Sequence, residues 1–465
     1  MGLVPFIRAH PTATRRVALG LVLVVAFVLR VWNLNWDAGT HQHPDERYWS
    51  LITSEISAPG PAEYFDSESS PLNPYNLDGR DTWVYGTFPL FSTKAVASFL
   101  ADGPFPAGAL VTAADAAGID LRTDGIDDFD AGYNANLIGR LLSALIDTAT
   151  VGLAYLLGRD LFDRRVGFVA ATLLAFTPLH IQYAHFYGAE PWVTFFVTLG
   201  VWLSLRLARG RLSLAVAAAT GLAFGMAAAS KLIAAAALVV PATAIFVAVA
   251  PALAIAGRWT VTALRRGAPD VETYPAAEQG RAAWQIVGWG ALTGFVVLAT
   301  TAITYRVLQP YTFDGLVSVD DRFTRDLDYL EGVNSGGNVP WVVQWIGRTP
   351  LTFPLRSAFW WGMGPALGLA VLVGAAKAVS DVIRRQRWVL LVPLALLVVM
   401  LGLVSQQFNP LIRYLLPAYP VAIVLGAFGV ATLWNAGRAA LARGARTVQA
   451  TGHVLRGVAV GLVVM

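Results

Sequence analysis

Apolar residues in this chain come in runs of about 20, the length that crosses a bilayer as a helix. Such runs lie near residues 17–34, 136–157, 165–184, 190–207, 212–229, 232–256, 284–304, 355–376, 388–404 and 412–434, with a further start at 457. Two polar stretches between them are long, 35–135 and 305–354, and the other connections are short. The pattern predicts an all-α polytopic membrane protein: one bundle over 1–465 of about eleven or more transmembrane helices, with a large first extracytoplasmic loop. The last run, Gly457 to Met465, is too short to span, so the natural chain is expected to continue beyond it. Residues 257–283 read as a polar cytoplasmic linker, and 104–132, rich in Gly, Ala and Asp, as a variable outer excursion. Phe88 to Leu100 mixes Phe88, Leu90, Phe91, Val96, Phe99 and Leu100 with Lys94, which suits a helix lying on the membrane surface. No internal repeat or low-complexity tract is visible.

Composition agrees. The chain is 56% hydrophobic and 14% charged, against about 25% charged in a soluble domain. It has no cysteine, which excludes a disulfide framework and a thiolate metal site. The net charge of +4 does not point to nucleic acid, because its arginines sit in short connections, where they report topology. With the N-terminal tail inside, the inner segments hold Arg8, Arg15 and Arg16; Arg159, Arg164 and Arg165; Arg206, Arg209 and Arg211; Arg258, Arg265, Arg266 and Arg281; Lys377, Arg384, Arg385 and Arg387; and Arg438, Arg443, Arg446 and Arg456. Loop 35–135 is the reverse: its bases are Arg47, Arg80, Lys94 and Arg122, against acids that end in Asp124, Asp127, Asp128 and Asp130. Both long loops are therefore expected outside the cytoplasm. The first run resembles a signal peptide, but Arg30-Val-Trp-Asn-Leu-Asn-Trp36 follows it instead of a small-x-small cleavage site. It reads as an uncleaved helix with a Trp belt. The richness in Ala, Gly and Arg suits a prokaryotic inner (plasma) membrane.

Ionisable groups at span ends are costly and mark function by default. In this topology they gather on one side. Arg30 ends the first span, Arg140 lies one turn inside the second, and His180, His185 and Glu190 flank the third and fourth. Lys231 sits at the outer turn between the fifth and sixth, Arg306 ends the seventh, and Arg413 opens the tenth. Directly after the first span comes Thr40-His-Gln-His-Pro-Asp-Glu-Arg-Tyr-Trp49, with Asp45 and Glu46 between histidines and aromatics. Arg140, Lys231 and Arg413 suit a phosphate at headgroup depth, Arg as a fork and Lys as a point charge. A carboxylate beside them suits removal of a proton from an attacking hydroxyl, and the cations suit the charge growing on a phosphate leaving group. Together these describe group transfer from a lipid-linked phosphate, and no Gly-rich nucleotide loop beside a strand argues otherwise.

Several stretches resemble the GT-C superfamily of membrane glycosyltransferases, in the branch of protein O-mannosyltransferases and aminoarabinose transferases. They are His43-Pro-Asp-Glu-Arg-Tyr48, Tyr85-Gly-Thr-Phe-Pro-Leu90, Leu137-Ile-Gly-Arg-Leu-Leu-Ser-Ala-Leu145, Leu179-His-Ile-Gln-Tyr-Ala-His-Phe-Tyr187, Ala229-Ser-Lys231, Gln309-Pro-Tyr311 and Ile412-Arg-Tyr-Leu-Leu-Pro417. The resemblance implies inverting transfer of a sugar from a polyprenyl-phosphate carrier to an extracytoplasmic acceptor, be it protein, lipid or glycan. It implies Asp45 as general base with Glu46 beside it. Arg140, Lys231 and Arg413 become donor-phosphate contacts, and His185, Glu190 and Tyr85 orient sugar or acceptor. The family often has an aspartate where this chain has Glu190.

Plainer readings stand beside these. Asp45 and Glu46 also suit a solvated acidic loop. Lys231, Arg413 and Arg140 also suit snorkelling to headgroups. His41 and His43, with Asp45, carry the ligand types for a divalent metal, although i, i+2 histidines more often make a polar loop. His180 and His185 suit buried hydrogen bonding, and Asp147, two turns below Arg140, suits either a buried donor or a lipid pathway. Trp83, Tyr85, Trp360 and Trp361 are the better sugar-stacking candidates, and Asp314 through Glu331 reads as a solvated face. A transporter or lipid flippase is the alternative function, since embedded charges also line ion pathways; transporters, however, tend to show repeats and midplane charges. A non-catalytic assembly subunit is a third reading.

Overall fold

A computed structural model describes residues 11–80, 82–102, 116, 132–266, 275–336, 340–442 and 446–464. It is almost wholly helical. In chain order the α-helices are α1 (Pro11–Val31), α2 (Pro44–Glu55), α3 (Phe88–Asp102), α4 (Gly132–Leu161), α5 (Arg164–Ala175), α6 (Pro178–Ala184), α7 (Glu190–Ala208) and α8 (Leu214–Ser230). They continue as α9 (Val239–Arg266), α10 (Pro275–Leu308), α11 (Asp321–Asn334), α12 (Thr352–Ser357), α13 (Pro365–Arg385), α14 (Leu391–Gln406), α15 (Tyr419–Ala442) and α16 (Arg446–Val464). A two-residue hairpin, β1 (Phe313–Asp314) and β2 (Ser318–Val319), forms the one sheet among the described residues.

Among the described residues, seven helices are long and apolar enough to cross a membrane, or eight if the pair α5 and α6, bent by 58°, is one span. The expected spans at 17–34 and 212–229 are present as α1 and as the shorter apolar α8. Two expectations shift. The last helix begins at Arg446 and packs back along α15, so the segment expected to start at 457 is longer by its polar, interhelical first half. The expected linker 257–283 is helical up to Arg266 and again from Pro275, because Ala-rich sequence on both sides carries α9 and α10 past the apolar run; residues 267–274 lie outside the described residues. So do most of the expected excursion 104–132 and the acids Asp124, Asp127, Asp128 and Asp130.

Helices pack closely because small residues face each other, as they must where apolar surroundings give no hydrophobic drive to associate. A Cβ on Gly158 would lie 2.7 Å from Gly167 Cα, which brings α4 against α5. A Cβ on Gly374 of α13 would collide with the Leu425 carbonyl of α15. The bundle core runs through α4, α5, α7, α14 and α15, with Val151, Leu157, Leu174, Val197, Leu396, Ile423 and Leu425 all buried.

The two long connections meet over one end of this bundle. Tyr75 Oη and the Trp83 amide both donate to Asp326 Oδ2, each at 2.7 Å. Arg322 donates to Asn76 Oδ1 and the Ser67 carbonyl at 2.9 Å. Tyr64 Oη reaches the Val307 carbonyl at 2.8 Å, and Thr87 donates its amide to Gln309 Oε1 at 2.5 Å. Asp326 is thus buried and tied in, not part of a solvated face as 314–331 suggested; only the rest of α11 faces out. Helix α3 is likewise no loose surface helix. Leu90, Thr93 and Ala97 are buried, and Phe88 meets Trp192 and Phe196 at 5.3 and 5.6 Å between ring centroids. The opposite end of the bundle gathers arginines, with Arg387 capping the Leu161 carbonyl at 2.9 Å.

Candidate active site

Ionisable residues separate into two classes once burial is known. The first class is sealed. Arg140, fully buried on α4, spends every N–H: Nε on Glu46 Oε1 (2.6 Å), Nη1 on the Leu34 carbonyl (2.9 Å) and Asp37 Oδ1 (3.1 Å), Nη2 on Asp37 Oδ2 (3.0 Å) and Glu46 Oε2 (2.7 Å). Glu46 also accepts from the Tyr187 amide at 2.8 Å. A guanidinium has five donors, and all five are used. In this arrangement no Arg140 N–H is left without an acceptor, and Glu46 is fully buried. This pair, with Asp37, fastens the α1–α2 turn and the 186–190 loop to α4. Asp37 was missed because an acid in a loop carries no periodicity to flag it. Burial pushes its carboxyl up, but the Arg140 hydrogen bonds and charge, with the Gln42 and Gly39 amides, bring it below the ordinary aspartate value.

A second sealed group lies deeper. Asp147 accepts from Arg30 Nε and pairs with His180 Nδ1, each at 2.7 Å, and Arg30 also donates to the Ala175 and Leu174 carbonyls at the end of α5. Of the two readings of Asp147, the buried-acceptor one holds. His185 is similarly occupied: its ring nitrogens face the Ile181 and Trp32 carbonyls at 2.7 and 2.9 Å, which leaves none to orient a sugar. His43 caps α2 by accepting from the Glu46 amide at 3.3 Å, and its ring stacks on Phe186 at 4.4 Å. Among the described residues no group of three or more His, Asp or Glu is placed to hold a metal ion, and His41 does not join Asp45 in one.

The other class is half-open, and it joins four elements. Asp45 Oδ2 pairs with Arg413 Nη1 at 2.5 Å; Arg413 Nε lies 3.7 Å from Glu190 Oε1; and Glu190 Oε1 pairs with Lys231 Nζ at 2.9 Å. The result is an alternating chain, acid–base–acid–base, whose side chains are 13–27% exposed. Local structure explains each position. Pro44 starts α2, so Asp45 falls in its first turn, where a helix N-terminus favours a carboxylate. Pro191 does the same for α7 and Glu190. Lys231 stands where α8 gives way to the 3₁₀ turn Leu232–Leu238, and Arg413 stands in the 3₁₀ turn Ile412–Ala418 that leads into α15. Tyr414 lies between the two cations, 4.8 Å from Lys231 Nζ and 5.7 Å from Arg413 Cζ.

Tyr85 completes the wall. Gly86 allows this: a Cβ there would strike the Ala229 carbonyl, so the loop lies flat on the end of α8, beside Lys231. Burial first, and then the Asp45 charge, pushes the Tyr85 hydroxyl well above its ordinary value. Behind it Trp49 meets Trp83, Tyr85 and Tyr187 at 5.3–5.4 Å in a buried aromatic box, which makes Trp83 core and not a sugar platform. A narrow cleft bounded by His43, Asp45, Tyr85, Tyr183, Phe186 and Glu190 opens here; its free volume of about 10 Å³ is no larger than one water. Of the expected site residues, Asp45, Tyr85, Glu190, Lys231 and Arg413 converge; Glu46, Arg140, His185 and His43 support them from behind, and the His41 carbonyl accepts from Arg47.

Residues 134–264 match the family model described as dolichyl-phosphate-mannose-protein mannosyltransferase. The oligosaccharyltransferase AglB of Archaeoglobus fulgidus, in complex with an inhibitory peptide and a dolichol-phosphate, superposes with a TM-score of 0.55 at 16% identity, over 98% of this chain and 55% of that one. The same organism's enzyme in the apo form gives 0.54 at 16% identity, over 97% and 56%. ArnT of Cupriavidus metallidurans bound to undecaprenyl phosphate gives 0.48 at 14% identity, over 97% and 70%. The chain thus spans about half the length of the oligosaccharyltransferase it resembles. No curated protein sequence matches it significantly. The chain thus shares the fold of the archaeal oligosaccharyltransferase over nearly its whole length, and its residues 134–264 are similar to the dolichyl-phosphate-mannose-protein mannosyltransferase model.

Proposed function

We propose that the chain is an integral membrane glycosyltransferase. It takes a sugar from a polyprenyl-phosphate carrier and passes it to a hydroxyl or amine acceptor outside the cytoplasm, by inverting single displacement. The observation that carries this reading is the half-open chain Asp45–Arg413–Glu190–Lys231. Two cations there can hold a phosphate, and a carboxylate lies directly against one of them. The orientation rests on the arginine-rich opposite end.

In this reading the donor phosphate binds Arg413 and Lys231. Arg413 then exchanges the Asp45 carboxylate for the phosphate, which frees Asp45. The acceptor heteroatom attacks the anomeric carbon while Asp45 removes its proton. The bond from that carbon to the phosphate oxygen breaks, and polyprenyl phosphate leaves with one more negative charge, which Arg413 and Lys231 offset. Glu190 keeps Lys231 and Arg413 apart at a fixed spacing, a positioning role. Because the cleft is filled by its own ion pairs, donor entry and Asp45 activation are one event. The sealed groups Arg30–Asp147–His180 and Asp37–Arg140–Glu46 weaken the transporter alternative, since their charges are closed on one another and leave no ladder to a substrate.

The test is transfer by purified protein in lipid nanodiscs, with a panel of radiolabelled decaprenyl-phosphate monosaccharides. Wild type consumes at least one donor. Asp45→Asn lowers that rate by about 10²–10⁴-fold and still binds decaprenyl phosphate. Wild-type turnover by this variant removes Asp45 as base.

A further inference from the structure

One aromatic feature beside the site has no task in this scheme. Between α12 and α13 the chain winds into a π-helical turn, Ala358–Met363, which carries Trp360 and Trp361. Such turns are rare and are often found at functional sites. Gly364, at φ +77°, breaks it into α13. Gly362 presses the turn onto the 3₁₀ helix that carries Arg413: a Cβ at that position would strike Tyr419 Oη and come within 3.0 Å of Ile412 Cδ1. Phe359 closes over Gly368 of α13, whose added Cβ would meet its ring at 2.5 Å, and Ala358 is buried. The inward residues thus fix the turn against the neighbour of Arg413. The indoles do the opposite. Trp361 is 81% exposed and Trp360 is 55% exposed.

A phosphate held by Arg413 has a lipid chain attached to it, and that chain must leave between helix ends toward the bilayer. The π-turn stands at the Arg413 helix, at the start of the candidate span Pro365–Arg385. We propose that Trp360 and Trp361 form the contact surface for the first isoprene units of the donor's polyprenyl chain. The inference rests on the reading of Arg413 as a phosphate contact. Indoles suit the task because they offer large rigid apolar faces at little rotamer cost, and the branched methyls of an isoprenoid lie flat on them. Ordinary lipid also wets indoles at a membrane boundary. A belt of that kind, however, is indifferent to the length of a chain attached to a bound phosphate.

That difference is the experiment. Full-length protein in nanodiscs is titrated with decaprenyl phosphate and with geranyl phosphate, and the ratio of the two affinities is compared between wild type and Trp360→Ala/Trp361→Ala. Wild type is expected to prefer the long chain. In the double variant decaprenyl phosphate binding weakens about 10-fold, geranyl phosphate binding changes less, and the preference collapses. Trp360→Phe/Trp361→Phe recovers most of it, which separates lost ring faces from a disturbed fold. An unchanged ratio in the alanine variant overturns the inference and leaves the indoles as a belt. Equal loss for both lipids overturns it too, because that outcome means Arg413 has moved. If wild type binds neither phosphate, the reading of Arg413 itself falls; if it binds both and only the ratio fails to respond, only the tryptophans are wrong.

Discussion

Arg140→Met is the substitution that best separates scaffold from chemistry. A phosphate-contact role predicts a folded protein with weak donor binding. The geometry predicts something else. Methionine keeps most of the apolar stem but removes five hydrogen bonds, four of them to the carboxylates of Asp37 and Glu46. Both acids are at most 3% exposed, so neither can turn to water. Removing one partner from a buried ionic cluster costs about 3–5 kcal/mol, because the charges left behind are uncompensated. Two carboxylates left facing each other put the expected loss at the top of that range. The assay is the rate of irreversible thermal unfolding in nanodiscs, followed by intrinsic fluorescence, since unfolding of a polytopic protein is read as a rate. Arg140→Met should unfold far faster than wild type. The triple variant Asp37→Asn/Glu46→Gln/Arg140→Met should recover a large part of the loss, because neutral amides leave no buried charge; that non-additivity is the signature of one network. A variant with wild-type unfolding and a selective loss of decaprenyl phosphate binding would refute the reasoning and return Arg140 to the phosphate.

Asp326→Ala should loosen the cap, since it removes an acceptor shared by Tyr75 and the Trp83 amide in a buried setting; a loss of about 2–4 kcal/mol is expected, seen as faster limited proteolysis between residues 55 and 85. Gly86→Ala should cut transfer sharply with little change in unfolding rate, because the new methyl group meets the Ala229 carbonyl and must lift Tyr85 off the end of α8; normal activity would argue that this loop has slack. Asp37 and Asp320 are both held below the ordinary aspartate value, Asp320 because Arg322 and nearby amides outweigh the opposing effect of burial. A depressed folded pKa gives stability that is present above the unfolded value of about 3.9 and is lost as pH falls through the folded value. Unfolding rates should therefore stay flat from neutral pH to the ordinary carboxylate range and rise below it, with a smaller rise in Asp320→Asn; an increase beginning near pH 6 would point to a histidine instead.

The positions of most of the converging charges were legible in the sequence; how each one is partnered was not. Spans were legible because apolar runs of bilayer length have few alternatives, and their order was legible because arginine marks alternate ends. Convergence was legible too: Asp45, Glu190, Lys231 and Arg413 are far apart in the chain yet all lie just beyond a span on one side. Asp45 and Glu46 are adjacent, yet they fare oppositely, and no pattern in the sequence says so. On α2 they point about 100° apart, so one faces the cleft while the other is driven into the bundle beneath Tyr187. Arg140 and Arg413 likewise carry the same group. What separates them is how many acceptors the surrounding loops bring: two whole carboxylates and a carbonyl for Arg140, against one carboxylate oxygen and a distant second for Arg413. Asp37 decides the matter, since with it Arg140 is saturated and without it a donor pair would remain free. Assigning roles to membrane-boundary charges thus depends on counting acceptors around each cation, and the cation left short is the one with capacity for a ligand.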